Sequence, residues 1–209
     1  VKWFHENRTE GCSIYAMDKA AKYGHLEVVK WLHENRTEGC STNAMDYAVS
    51  HDHLEVVKWL HENRTEGCTI NAMESAAKTG HLDMIKWLHE NRSEGCTVDA
   101  MDYAAKLGHL EVVTWLYENR TEGCTYWAMD RAIFNDHTEI LEFLFDKYPS
   151  YVIKLSQSSY VKIIPLIQKK FAVTFRKIEK ESIVRDFLRK KLIYHPASSY
   201  IKRLVENFD

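Results

Sequence analysis

The stretch HLEVVKWLHENRTEGC at residues 25–40 returns at 53–68, 81–96 and 109–124 with few or no changes, and VKWFHENRTEGC at 1–12 repeats its last twelve residues with one change. The copies are 28 residues apart. A fixed period of this size marks a stack of supersecondary units rather than a set of local motifs. Written from its cysteine, one unit reads C-[ST]-x-x-A-M-D-x-A-A-x-x-G-H-L-E-V-V-K-W-L-H-E-N-R-T-E-G.

Two helices are legible in the unit. The first is expected to start after Ser13, Ser41, Thr69, Thr97 or Thr125, whose hydroxyls can accept from the free amides of a first turn. It continues over Ala16, Met17, Ala20 and Ala21, an i, i+1, i+4, i+5 stripe of compact apolar side chains. Gly24 ends it. The second runs from His25 to about Asn35, with Leu26, Val29 and Leu32 at i, i+3, i+6, widened by Val28 and Trp31, while Glu27, Lys30 and Glu34 face water. Asn35 and Gly39 are residue types that tolerate the left-handed conformation often used where helices stop. A single unit has too few large apolar side chains to offset the entropy of ordering its backbone, so neighbouring copies must cover its faces.

At A-M-D-x-A-A-x-x-G-H-L-E-V-V-K-W-L the chain resembles the ankyrin repeat, whose pattern T-P-L-H-x-A-A-x-x-G-H-x-x-V-V-x-x-L-L aligns with Asn43-Ala44-Met45-Asp46-Tyr47-Ala48 and with His53-Leu54-Glu55-Val56-Val57. The resemblance covers residues 1–148. It implies an all-α, right-handed solenoid of stacked helix-turn-helix repeats. Two departures stand out. The period is 28 rather than 33, which shortens the β-turn finger to a tight loop around residues 36–41. The Thr-Pro-Leu-His element is replaced by forms such as Asn-Ala-Met-Asp, which puts its usual Thr-His hydrogen bonding in question.

Past Tyr148 the period is lost. Residues 158–171, 182–192 and 199–208 read as three helices punctuated by Pro165 and Pro196, a helical C-terminal cap for the stack. Residues 1–148 carry 15 basic against 25 acidic residues, net −10, whereas 149–209 carry 13 against 5, net +8. The organisation expected is therefore an acidic repeat array over 1–148, truncated at its N-terminus because Val1 falls in mid-unit, and a basic helical segment over 149–209.

The recurring histidines and cysteines raise the question of zinc. Cys12 and His25 stand at a finger-like separation, but the first cysteine partner is missing and His33 lies too far along the helix. The His33 position becomes Tyr117 and then Phe145, which fill space without ligating, so the reading is packing and no metal. His25, His53, His81, His109 and His137 are expected to hydrogen-bond in the turn. Trp3, Trp31, Trp59, Trp87 and Trp115 share a stripe with Val28 and Leu32 and read as packing rather than a stacking platform for bases. The cysteines at 12, 40, 68, 96 and 124 sit one per copy. Stacked helices stand ~8–10 Å apart, beyond disulfide reach, so free thiols and a cytoplasmic location are expected. Catalysis needs dissimilar groups brought together once; the array repeats the same groups, and no phosphate loop, nucleophile elbow or carboxylate pair appears. No enzyme, cofactor or small-molecule substrate is expected.

What varies between copies is more telling. On the first helix these positions are Tyr15, Lys19 and Lys22; Asn43, Tyr47 and Ser50; Asn71, Ser75 and Lys78; Asp99, Tyr103 and Lys106; Trp127, Arg131 and Phe134. Their i, i+4, i+7 spacing places them on one face, opposite much of the Ala-Met stripe. Drift of exposed positions competes with selection for contact, but Tyr15, Tyr47, Tyr103 and Trp127 are side chains that protein interfaces favour. The resemblance implies a concave partner-binding face built from these helices. The first two positions of each set are the candidate contacts: Tyr15, Lys19, Asn43, Tyr47, Asn71, Ser75, Asp99, Tyr103, Trp127 and Arg131. The alternative is a nucleic-acid or anionic membrane-surface adaptor acting through Arg185, Arg189, Lys190 and Lys191 on the basic tail.

Overall fold

A computed structural model describes residues 11–148 together with Tyr151 and Ser159. The chain divides into two compact units, Val1–Tyr151 and Val152–Asp209. The segment before Gly11, the three tail helices apart from Ser159, and the basic strip of Arg185, Arg189, Lys190 and Lys191 lie outside the described residues.

Among the described residues there are ten α-helices and no strand. They come in pairs: α1 (Tyr15–Lys22) and α2 (Leu26–Asn35), α3 (Thr42–Ser50) and α4 (Leu54–Asn63), α5 (Ile70–Thr79) and α6 (Leu82–Asn91), α7 (Asp99–Leu107) and α8 (Leu110–Asn119), α9 (Tyr126–Phe134) and α10 (Thr138–Lys147). This is an all-α solenoid of stacked repeats.

Residue size sets the spacing of the stack. The first helices pack along one row, α1 against α3, α3 against α5, and so on to α9, far more extensively than second helices pack on one another. Met17, Ala20 and Ala21 and their counterparts through Met129, Ala132 and Ile133 are all buried in that row. Alanine lets helix backbones approach closely, and the single methionine fills the remaining irregular space. The second helices bury Val56, Val57 and Leu60 and their equivalents in the later copies, and Val29 and Leu32 in α2, while Val28, Trp31, Trp59, Trp87 and Trp115 are only half-buried. Trp59, Trp87 and Trp115 bridge copies at the rim rather than filling the core.

Turn chemistry follows the sequence at most positions. Gly80 and Gly108 cap α5 and α7 in the left-handed conformation, and Asp52 (φ 60°) and Asp136 (φ 59°) take the same place in their copies, as a short polar side chain can. Ser41, Thr69 and Thr125 accept from the amides of Asn43, Asn71 and Trp127. Thr97 does the same for Asp99. Two expectations are corrected. At α1 the N-cap is Ile14, with no side-chain bond, so Ser13 does not cap it. Asn35, expected in a left-handed turn, closes α2 as its last helical residue. Its amide donates to the Trp31 carbonyl at 2.8 Å, and the next residue, Arg36, is extended. Asn63, Asn91 and Asn119 do the same.

Candidate functional site

Each copy holds the next by three devices, all made from the residues that repeat. The first is a carboxylate tether. Asp46 Oδ1 accepts from the Thr69 amide at 2.9 Å and Oδ2 from the Thr69 hydroxyl at 2.7 Å. Asp18 binds Ser41 and Asp102 binds Thr125 in the same two-handed way. Glu74, one methylene longer, uses a single oxygen for both bonds to Thr97. Asp18 and Asp46 are buried. Burial pushes the Asp46 and Asp102 carboxyls above the usual carboxylate range, against the lowering effect of the threonine bonds.

The second device occupies the Asn-Arg-Thr-Glu-Gly-Cys loop. Arg36, Arg64, Arg92 and Arg120 pair with Glu38, Glu66, Glu94 and Glu122. From there Glu38 accepts from the Cys12 amide and Glu66 from the Cys40 amide of the preceding copy. A side chain on Gly67 would put its Cβ 2.5 Å from Arg92 Nη2, so glycine gives the arginine of the next copy its room. The hydrogen bond from Arg36 holds Glu38 down at about 2. Burial opposes the same shift at Glu66, but Arg64 and backbone donors still hold it at about 2. The cysteines are free, and burial pushes Cys40 and Cys96 up to about 11 and Cys68 and Cys124 up to about 12. Such thiols are poor nucleophiles.

The third is aromatic. His33, His61 and His89 stand edge-on to Trp59, Trp87 and Trp115 of the next copy, with ring centroids 5.2–5.3 Å apart. Their Nδ1 atoms lie 3.3–3.4 Å from Arg64, Arg92 and Arg120. Arginine can only donate, so each imidazole nitrogen accepts. Tyr117 continues the pattern, edge-on to Phe143 at 5.4 Å. At the other end of the helix pair, His109 and His137 reach the carbonyls of Lys78 and Lys106 at 3.1 Å.

With the repeated residues engaged between copies, the variable positions remain at the surface. Tyr15, Lys19, Asn43, Tyr47, Asn71, Asp99, Tyr103 and Trp127 are exposed, while Ser75 and Arg131 are half-buried. Trp127 is 51% exposed and Phe134 64%. Four of the ten candidates meet in one place. Asp99, Tyr103, Trp127 and Arg131 line a groove of about 490 Å³ between α7 and α9, together with Asp102, Lys106, Thr125 and Tyr126. The Arg131 guanidinium lies 4.8 Å from the Trp127 ring centroid. Tyr15, Lys19, Asn43, Tyr47, Asn71 and Ser75 share the face but not the groove. Asp102 and Thr125 were missed as lining residues; their tether places them there, and only the recurrence of an acid 23 residues before a Ser or Thr could have signalled it.

Models of ankyrin repeats match residues 17–61 and 45–89 (described as many copies) and 72–154 (described as three copies), together about two-thirds of the chain. The chain belongs to the ankyrin repeat family. No curated protein matches it. Ankyrin repeats are in general protein–protein interaction modules and typically non-enzymatic. The aspartate of Asn-Ala-Met-Asp now has a role within this ankyrin array: where the family pattern places histidine, it supplies the acceptor that the Ser or Thr of the following copy binds. Among the described residues no helix is long and apolar enough to cross a membrane.

Proposed function

We propose that this chain is a non-enzymatic scaffold that binds a protein partner through its first-helix face, centred on the groove between α7 and α9. One observation carries this. At that groove exposed aromatic surface, an arginine and both signs of charge converge, the composition in which interface energy concentrates. His33, His61 and His89 and Trp59, Trp87 and Trp115 are already engaged between copies, and the thiols of Cys40, Cys68, Cys96 and Cys124 are poor nucleophiles, which favours binding over chemistry at the surface.

The test is affinity. A partner is captured with the full chain, identified by mass spectrometry and titrated against variants. Tyr103→Ala and Trp127→Ala should each weaken binding by ~1–3 kcal/mol, with the melting temperature nearly unchanged because both side chains lie outside the core. Neutralising Arg189, Lys190 and Lys191 should matter much less. If the tail substitutions abolish binding, with steep salt dependence, and the aromatic ones do not, the protein acts instead as a nucleic-acid or membrane-surface adaptor through its basic tail.

A further inference from the structure

The first-helix face is positively charged in an array that is not. At the variable positions stand Lys19, Lys22, Lys78, Lys106 and Arg131 against the single acid Asp99, although residues 1–148 as a whole are net −10. The remaining acids of these helices are engaged: Asp18, Asp46, Glu74 and Asp102 hold the Ser or Thr of the next copy, and Asp130 is half-buried. In the adjoining turn Asp52 lies 3.5 Å from His81 Nδ1. None of the ion pairs among the described residues involves Lys19, Lys22, Lys78, Lys106 or Arg131.

Three of those cations are held over rings. Lys22 Nζ lies 5.5 Å from the Tyr47 centroid, Lys78 Nζ 5.5 Å from that of Tyr103, and Arg131 covers Trp127. Apolar and cationic surface are therefore interleaved along the stack. Copies stand ~8–10 Å apart, a distance an extended peptide covers in about three residues at ~3.3 Å each.

We propose that this face recognises an acidic, apolar-containing peptide segment, with carboxylates about three residues apart and large apolar side chains between them. The proposal rests on the first-helix face being the binding surface. Charge complementarity selects the acidic segment over a basic one. The length of a polyanion argues against nucleic acid. A phosphate backbone would run past the local cations into the field of an array carrying ten excess negative charges, whereas a short peptide meets only the face.

Three labelled probes are titrated against the full chain by fluorescence anisotropy: a peptide of about 12 residues repeating Glu-Phe-Ser, its Lys-Phe-Ser counterpart, and a single-stranded oligonucleotide of similar length. The glutamate peptide should bind at least about tenfold tighter than the lysine peptide. Reversing Lys78, Lys106 and Arg131 to glutamate should weaken it at least about tenfold, with an unchanged circular dichroism spectrum, and added salt should weaken it too. Equal or tighter binding of the lysine peptide, tighter binding of the oligonucleotide, or no binding by any probe overturns the proposal. If charge reversal leaves affinity unchanged while Tyr103→Ala and Trp127→Ala reduce it, the surface stands and its acidic preference falls. If neither set alters the binding of the glutamate peptide, the surface itself is misplaced.

Discussion

Replacing Asp46 by alanine tests the carboxylate tether at a buried site. Asp46 is 6% exposed and accepts two hydrogen bonds from Thr69, whose hydroxyl in turn caps α5 by accepting from the Asn71 amide. Two bonds to a charged acceptor, at ~1.5–3 kcal/mol each, give about 3–6 kcal/mol gross. Part is offset because alanine no longer has to be buried as a charge, a cost evident in the raised Asp46 carboxyl. A net loss of about 2–4 kcal/mol is expected. Asp46→Asn should cost less than about 1 kcal/mol, since its carbonyl can still accept from the Thr69 amide while its NH2 donates to the hydroxyl, which is turned round. Glu74→Ala should also be mild, about 1 kcal/mol, because that bridge is half-exposed and uses one oxygen. Urea unfolding followed at 222 nm gives the comparison. The slope must be monitored, because a weakened interface can break the cooperativity of an array. If Asp46→Ala is no worse than Glu74→Ala, or if Asp46→Asn is as damaging as Asp46→Ala, the tether does not act as described.

Two further outcomes follow from the interfaces. Glu38 and Glu66 are held at about 2, below the ordinary 4.5, so their contribution is complete above pH 4.5 and is lost as pH falls towards 2. Asp46, raised above 3.8, acts oppositely, its contribution being lost as pH rises through its elevated value. Acid unfolding should thus fall in the window of the glutamates, and Glu66→Gln should flatten the dependence of stability on pH between about 4.5 and 2. With thiols pushed up to about 11 or 12 at Cys40, Cys68, Cys96 and Cys124, these four should react with a maleimide far more slowly in the native protein at pH 8 than after unfolding. Unfolding without reductant should release all five thiols; fewer would contradict the free cysteines.

The helix pairs and the exposed face were legible because both are local. An Ala-Met stripe at helical spacing fixes which side of α3 is inward, and therefore that Asn43 and Tyr47 point outward, without reference to any other copy. What the residues did not disclose depends on a neighbour. Thr69 reads as an N-cap and is one, but its second role, binding Asp46, links residues separated by an entire helix pair. Arg36 and Glu38 fall in the tight loop expected around residues 36–41, yet their work is done against Cys12 of the preceding copy. The groove between α7 and α9 is likewise a property of two helices, so Asp99 and Trp127 could be placed on a face but not in one site. Asn35 was misjudged for a different reason: its amide finds the Trp31 carbonyl inside its own helix, which removes the need for a left-handed residue there.

Each kind of bond that joins one copy to the next recurs at a fixed interval along the chain, 23 residues from Asp46 to Thr69 and from Asp102 to Thr125, 31 from His33 to Arg64 and from His89 to Arg120. The junctions are thus interchangeable. Excising residues 68–95 as a block would bring Asp46 opposite Thr97 and His61 opposite Arg120, recreating the donor and acceptor sets that were lost, with nothing left unsatisfied at the splice. Duplication of a block is accommodated in the same way. The length of this protein can therefore change by whole copies under recombination without a new interface having to be invented, while the fifteen variable side chains on the first helices supply the individuality that each such event reshuffles.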